Sequence, residues 1–322
     1  MAIKTNTYTT FSAKGIREDL SNVISNISPE DTVFMSNIGS DSCSNTYFEW
    51  QQDALDAVDT TNAYVEGDDI DSAGLQAATP TTRVGNYVQI SRKSALVSGT
   101  LEAVDKAGRK REMALQMSKR SAELKRDMEA IMLSNQAAAA GNSTTARKTG
   151  SLLAFIKTNV SAGTGGANPS YTSKPDATRT DGTQRAFSET LLKSALQSVW
   201  SAGGTPKICQ MGPVNKQKAS AFTGIAQIRY NTPANKPSQI VGSADIYVSD
   251  FGRVEFVTSR FQRERDVFIL DPDMCKTTFL RPFHQVELAK TGDAEKRVIQ
   301  AEWGLKVVNE AGIGLVADLT TT

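Results

Sequence analysis

The chain has 322 residues and a nearly even charge balance, 36 lysines and arginines against 35 aspartates and glutamates, with one histidine and three cysteines. A net charge of +1 argues against a general polyanion binder, and no apolar run approaches the roughly 18 residues of a membrane span, so no membrane partner is expected. A single histidine, His284, cannot build a two- or three-histidine zinc site, and Cys43, Cys209 and Cys275 form no CxxC pair, which excludes a zinc ribbon or a disulfide framework.

The length points softly to two domains of about 100–200 residues each. Residues 1–15 are polar and threonine-rich and read as an extended arm. The start, Met1-Ala2-Ile3-Lys4, lacks the apolar core of a secretory signal, so synthesis in the cytoplasm is expected. Ile16, Leu20, Val23, Ile24 and Ile27 recur at helical spacing and predict a short amphipathic helix. Ser28-Pro29-Glu30-Asp31 then supplies a cap, a proline suited to a first helical position, and acids. Either a second helical turn or a turn into a strand follows at Thr32–Met35.

From Tyr47, Phe48 and Trp50 an extended run begins. The stretch from Gly67 to Thr82 is rich in Gly, Ala, Thr and Asp, and Asn86–Ser91 returns as an alternating strand. This predicts a two-stranded excursion over residues 47–100 with a flexible tip. Such a ribbon is marginal alone and needs its own body or a neighbour to lie on.

Met113, Met117, Leu124, Met128 and Ile131 form a stripe that predicts a helix from Val104 to Asn135, about 48 Å long, with Gly108 interrupting near its start. The methionines read as core packing. Residues 161–186 are poor in apolar side chains and read as a loop. Ser188 caps a helix over Glu189–Ala202 with Leu191, Leu192, Ala195, Leu196 and Val199 inward, stopped by Gly203-Gly204 and Pro206. A strand at Lys207–Met211 and a helix at Val214–Phe222 follow. Strands are then predicted at Ile246–Val248, Val254–Thr258, Val267–Leu270 and Thr277–Leu280. Trp303, Leu305 and Val307 alternate within Val298–Leu319. The class is α+β without a βαβ rhythm.

Chemical motifs fail one by one. Gly163–Gly166 (GTGG) lacks the spacing of a phosphate loop. No GxSxG elbow is present, and the Lys-Thr-Gly triplets at 148–150 and 290–292 have no SxxK partner. Asp68, Asp69 and Asp71 lack the glycine and distal glutamate of a calcium loop. No catalytic, cofactor-binding or metal-binding residue is therefore expected. The charge distribution is more informative. Eight acids and no base lie between Glu49 and Asp71, whereas twelve bases and three acids lie between Gly141 and Lys236. These are either two solvated faces of opposite sign, or complementary patches through which one copy lies on another.

The order of parts, with the stretches TNTYTTFSAKGIREDL, FEWQQDAL, NYVQISRKSALVSGTLEAVDKAG, ELKRDMEAIMLSNQ and LRPFHQVELAKTGDAEKRVIQAEWGLKVVNEAGIG, resembles the tailed-phage major capsid (major head) proteins. The resemblance implies the α+β Hong Kong 97-like fold. Residues 1–46 would be an N-terminal arm and 47–100 an extended loop reaching over a neighbour. Residues 101–212 and 297–322 would form a peripheral domain with a spine helix at 104–135, and 213–296 an axial domain. It further implies a non-enzymatic protein without cofactors, made in the host bacterial cytoplasm and located in the virion capsid. There it would self-assemble into pentamers and hexamers of an icosahedral head shell around double-stranded DNA. The expected partners are copies of itself, a portal protein, either a separate scaffolding protein or none, a decoration protein, and packaged DNA through weak non-specific contact. The candidate inter-subunit contacts are Trp50, Asp53, Asp56, Asp59, Glu66, Asp68 and Asp69 on the excursion, meeting Lys207, Lys216, Lys218 and Arg229 of a neighbour. An encapsulin-like shell, with enzyme cargo in place of DNA, shares the implied fold, and a tail component would instead form tubes or trimers.

Overall fold

A computed structural model describes residues 31–67, 80–108, 110–222 and 245–321. The arm, the helix expected at 16–27, most of its following cap, and the candidates Asp68, Asp69 and Arg229 lie outside the described residues. In chain order the described elements begin with α1 (Val33–Asn37), β1 (Gly39–Ser42), β2 (Tyr47–Gln52), β3 (Thr82–Tyr87) and β4 (Gln89–Ser98). Next come α2 (Gly99–Ala103), α3 (Glu112–Met132), α4 (Leu152–Phe155), β5 (Val160–Ser161), α5 (Glu189–Ser201), β6 (Ile208–Met211) and α6 (Pro213–Ser220). The chain closes with β7 (Ile246–Ser249), β8 (Gly252–Thr258), β9 (Val267–Leu270), β10 (Cys275–Glu287), β11 (Ala294–Val307) and β12 (Gly314–Val316).

Two larger sheets carry the body. One has the order β1-β10-β11-β4 and the other β5-β12-β9-β6-β8-β7, while β2 and β3 pair only with each other. The helix α3 crosses the first sheet with Met113, Met117, Leu124 and Met128 inward, as the stripe predicts; Met132 joins them fully buried, and Ile131 is only partly covered. Its length is a correction. The expected 104–135 helix is shortened at its start: Val104 is extended and ends the preceding helix, Gly108 adopts φ +74°, a left-handed conformation that an α-helix cannot contain, and α3 begins only at Glu112. The chain before it forms the separate α2, capped by the Ser98 hydroxyl on the Leu101 amide. The helix proper is 21 residues, about 32 Å. Of the two options at Thr32–Met35 the helix forms, and α3 holds it: the buried Glu129 carboxylate accepts from the amides of Phe34 (2.7 Å) and Met35 (2.8 Å). Burial pushes this carboxyl up, against those two hydrogen bonds.

The second sheet packs α5 through Leu192, Ala195, Leu196 and Val199, with Leu191 only partly covered. The ribbon at 47–100 is shorter than expected. Only Tyr47–Gln52 and Thr82–Tyr87 pair with each other. After Val88 the chain leaves the ribbon and β4 joins β11, from Gln89 opposite Trp303 to Ser98 opposite Ala294. The buried Asn86 fixes this junction. Its Nδ2 donates to Thr149 Oγ1 (3.0 Å), Gly150 O (3.2 Å) and Leu305 O (2.7 Å), and its Oδ1 accepts from Gly150 N (2.8 Å).

The loop at 161–186 is held by charge. Asp318, fully buried, accepts from the amides of Gly163 (3.0 Å) and Gly182 (2.7 Å) and pairs with Arg179 Nη2 at 2.6 Å. Burial acts to raise the Asp318 pKa, but Arg179 and those amides outweigh it and hold the carboxyl at about 2. The glycines are there for room: a Cβ on Gly166 would stand 2.7 Å from the Asp318 carboxylate and 2.9 Å from Arg179. The GTGG stretch thus cradles an anion, and the anion is the chain's own aspartate. Nearby, Asp266 is fully buried with neither carboxylate oxygen hydrogen-bonded. Arg263 Nε lies 3.5 Å away, with Arg179, Asp181 and Asp318 around it. Burial pushes its pKa up to about 6 against the attraction of the two arginines.

Two outcomes follow from these buried groups. Replacing Asn86 by alanine strands the Gly150 amide and the Leu305 carbonyl and is expected to cost about 3 kcal/mol in chemical denaturation. Asp266 binds its proton more tightly in the folded chain than in the unfolded one. Stability therefore falls as pH rises from about 4 to about 6. In Asp266→Asn that residue's part of the slope disappears, and at pH 7.5 the variant is the more stable by up to roughly 3 kcal/mol. Parallel pH profiles of the two proteins would contradict this.

Candidate assembly surface

The root of the ribbon belongs to its own chain. Phe48 and Trp50 alternate with exposed Glu49 and Gln51 and turn inward. The Phe48 ring lies over Gly304 of β11, where a Cβ would approach it to 2.7 Å. Trp50 stacks on Phe48, tilts against Phe155, and donates from Nε1 to the Val308 carbonyl at 3.2 Å. Gln52 donates to the same oxygen at 2.6 Å. Trp50 is therefore packed by its own chain within the subunit, as a core anchor.

Beyond Gln52 every described residue of the excursion, 53–67, is exposed. Leu55 is 99% exposed, Val58 91%, Tyr64 71% and Val65 80%. Asp53, Asp56, Asp59 and Glu66 are interleaved with them. Asp59 accepts from the Thr61 hydroxyl and amide, which lowers its pKa. Large apolar side chains held this far into water mark an interaction surface, since each gains about 25 cal/mol per Å² when covered. The charge run in the sequence pointed to this segment. The apolar residues within it carried no periodicity and were missed.

The described basic candidates each have partners in their own chain. Lys207 pairs with Asp271 (3.2 Å) and Asp273 (2.5 Å) of its own chain. Lys216 reaches Asp245 (3.3 Å) and the Phe256 carbonyl (3.2 Å) and lies over the Phe256 ring. Lys218 donates to Thr320 Oγ1 at 2.7 Å. His284 is also structural, with Nδ1 against the Pro282 carbonyl and Nε2 beside Gln300. Cys209 and Cys275 are buried, which raises both thiols, and Cys43, Cys209 and Cys275 are all unbridged. Among the described residues no group of three or more His, Cys, Asp or Glu comes together to hold a metal ion, and no helix is long and apolar enough to cross a membrane.

A second surface was missed in the sequence. On β4, Lys93 pairs with Asp127 of α3 at 2.6 Å, and Ala95 and Val97 are buried, so odd positions face the helix. Even positions face away: Ile90, Arg92, Ser94 and Leu96 line up with Glu302, Gln300, Val298 and Lys296 of β11. In the next strand Arg281, His284 and Val286 continue three of these rows. Glu302 on this face is enclosed by Arg147 (2.6 Å) and Arg281 (2.8 Å).

Comparison with known proteins places this geometry. The family model of the SU10 major capsid protein matches residues 3–320. The major capsid protein of Escherichia phage Phieco32 is 28% identical over 346 residues, covering 96% of both chains. Among solved structures, the capsid asymmetric unit of cyanophage A-1(L) aligns with a TM-score of 0.67 at 11% identity, over 97% of this chain and 99% of that one. The capsid of a native GTA particle aligns at 0.60, with 11% identity, over 97% and 98%. A structure of phage G gp27 major capsid proteins and gp26 decoration proteins aligns at 0.53, with 9% identity, over 99% and 100%.

Because Gln52 and Thr82 are opposed at the end of the ribbon, residues 54–80 can be replaced by a short Gly-Ser turn. The described residues of this segment, 54–67 and 80, are exposed and make no contribution to the core, so the melting temperature of this variant is expected to stay within about 3 °C of the parent. A large drop would show that the segment supports its own body.

Proposed function

The chain belongs to the SU10 major capsid protein family, and we propose that this phage capsid protein adopts the Hong Kong 97-like arrangement and assembles through pentamers and hexamers into an icosahedral head shell around double-stranded DNA. The observation that carries this reading is the bare, acidic and apolar segment 53–67, held out by a ribbon whose root is locked to its own body. A monomer gains nothing from such a segment. A closed shell repeats one such contact many times and holds by avidity.

In this reading residues 1–46 form the arm and 47–100 the extended loop. The peripheral domain comprises 101–212 and 297–322, with α3 as its spine, and 213–296 form the axial domain. The chain acts structurally, without catalysis or cofactor. It is made in the host cytoplasm and ends in the virion, where it meets copies of itself, the portal and scaffolding proteins. A decoration protein is a further partner class, since one accompanies the phage G capsid protein. Near neutrality of charge implies weak, salt-sensitive contact with packaged DNA. On the acceptor side Lys207, Lys216 and Lys218 already have partners within the chain, which weakens their part in the contact with the acidic segment.

Electron microscopy with light scattering on the purified full chain tests the reading, with scaffold supplied if required. Closed shells, or pentamers and hexamers, are expected from the parent, and unassembled subunits from the variant lacking 54–80. A parent protein that stays monomeric at high concentration would overturn it.

A further inference from the structure

A groove of about 680 Å³ runs along α3 where the helix meets β10 and β11. One wall is formed by Ala114, Ser118, Ser121, Ala122 and Lys125 of the helix, and the other by Gln285 and Arg297 of the sheet. Four of the five helix positions carry small side chains, which is what leaves the space. Thr32 lines the groove as well. The amides of Phe34 and Met35, just after it, are bonded to Glu129, one turn beyond Lys125. The chain that precedes Thr32 therefore starts at the Lys125 end of the groove.

We infer that residues 16–27 of the same chain fill this groove as a helix laid along α3, with Ile16 toward Ala114 and Ile27 toward Lys125. The contact lies within one chain and does not depend on shell assembly.

Three observations carry it. The first is spacing. Leu20, Val23, Ile24 and Ile27 stand four, seven, eight and eleven residues after Ile16, and Ser118, Ser121, Ala122 and Lys125 stand at the same steps after Ala114. On a helix each set falls within an arc of about 100° and spans about 17 Å. Large apolar side chains on one face then meet small ones on the other, which suits two helix axes about 8–10 Å apart. The second is the tether. Only Ser28-Pro29-Glu30-Asp31 separates Ile27 from Thr32. Pro29 disfavours a helical Ser28 and so ends the helix there, and the five steps from Ile27 to Thr32 reach about 18 Å at most. So short a link keeps the chain's own segment at the groove at a far higher effective concentration than a second copy supplies. The third is charge. Residues 16–31 carry four acids, Glu18, Asp19, Glu30 and Asp31, against the single base Arg17. The charged side chains that line the groove are Lys125 and Arg297, and Arg297 Nε is enclosed without a hydrogen-bond partner.

The test is a disulfide within the dilute, unassembled full chain. Leu20→Cys and Ser118→Cys are combined in a Cys43→Ser background, since Cys209 and Cys275 are buried. Ser118 is exposed, so folding is expected to persist. Oxidation should link residues 20 and 118 within one chain in most molecules, and Glu18→Cys, on the opposite helix face, should not replace Leu20→Cys. Absence of the link, an equal yield from Glu18→Cys, or a link formed only between copies would each overturn the inference, the last by giving the groove to a second copy's segment. Hydrogen exchange gives an independent reading. Amides of residues 16–27 should exchange at least about tenfold more slowly than in an unstructured chain, and Ser118→Arg, which fills the groove, should abolish that protection while leaving the protection of β10 and β11 unchanged. Unprotected amides at 16–27 in the parent, or protection that survives Ser118→Arg, would also overturn it. Each of these failures leaves the shell reading standing.

Discussion

A two-stranded ribbon cannot hold itself in water, and this one carries leucine, valine and tyrosine at its exposed end. How far that end stands out depends on how firmly its root is fixed. The root is bound three ways. Phe48 closes on Gly304 at a distance that leaves no room for a side chain. Trp50 fills a pocket against Phe155 and bonds the Val308 carbonyl. Asn86 meets the Gly150 and Leu305 backbones with its whole amide. The lever is rigid at its base and bare at its end, which suits a contact made by reaching.

The body uses buried carboxylates as clamps on backbone. Glu129 gathers the first amides of α1, Glu310 accepts from the amides of Lys157 and Thr158, and Asp318 gathers Gly163 and Gly182. Each ties segments far apart in sequence to a sheet or a long helix. This explains how a chain with so much irregular structure keeps long loops in place: the loop amides find acceptors that the core supplies. Asp266 is the exception, a buried carboxylate without hydrogen bonds, and it makes this part of the body sensitive to protons.

Much of the fold was legible in the sequence. The methionine stripe placed α3, Ser188 and Gly203 bounded α5, and β9 falls on Val267–Leu270 as expected. The misses have physical causes. Gly108 reads in sequence as an interruption within one helix, yet Val104 is already extended and the left-handed Gly108 lies in a non-helical link, so the helix starts only at Glu112. Asn86–Ser91 alternates as a strand should, but alternation does not name a partner, and β4 pairs with β11 some 200 residues later instead of with β2. The excursion was located by its acids, while an aromatic at a ribbon root, such as Trp50, looks the same in sequence whether it faces its own core or a neighbour. The open sheet face left no signal in any one segment, since its rows are assembled from three strands. The resemblance of the whole chain to phage head proteins carried the functional reading, and the family match bears out its core.

The central claim is that residues 53–67 are bare in the subunit and covered in the particle. Hydroxyl-radical footprinting of free subunits and assembled particles reads this directly at Leu55, Val58, Tyr64 and Val65. Strong oxidation in the subunit and protection in the particle is the predicted result. Equal oxidation of these side chains in both states would contradict the account.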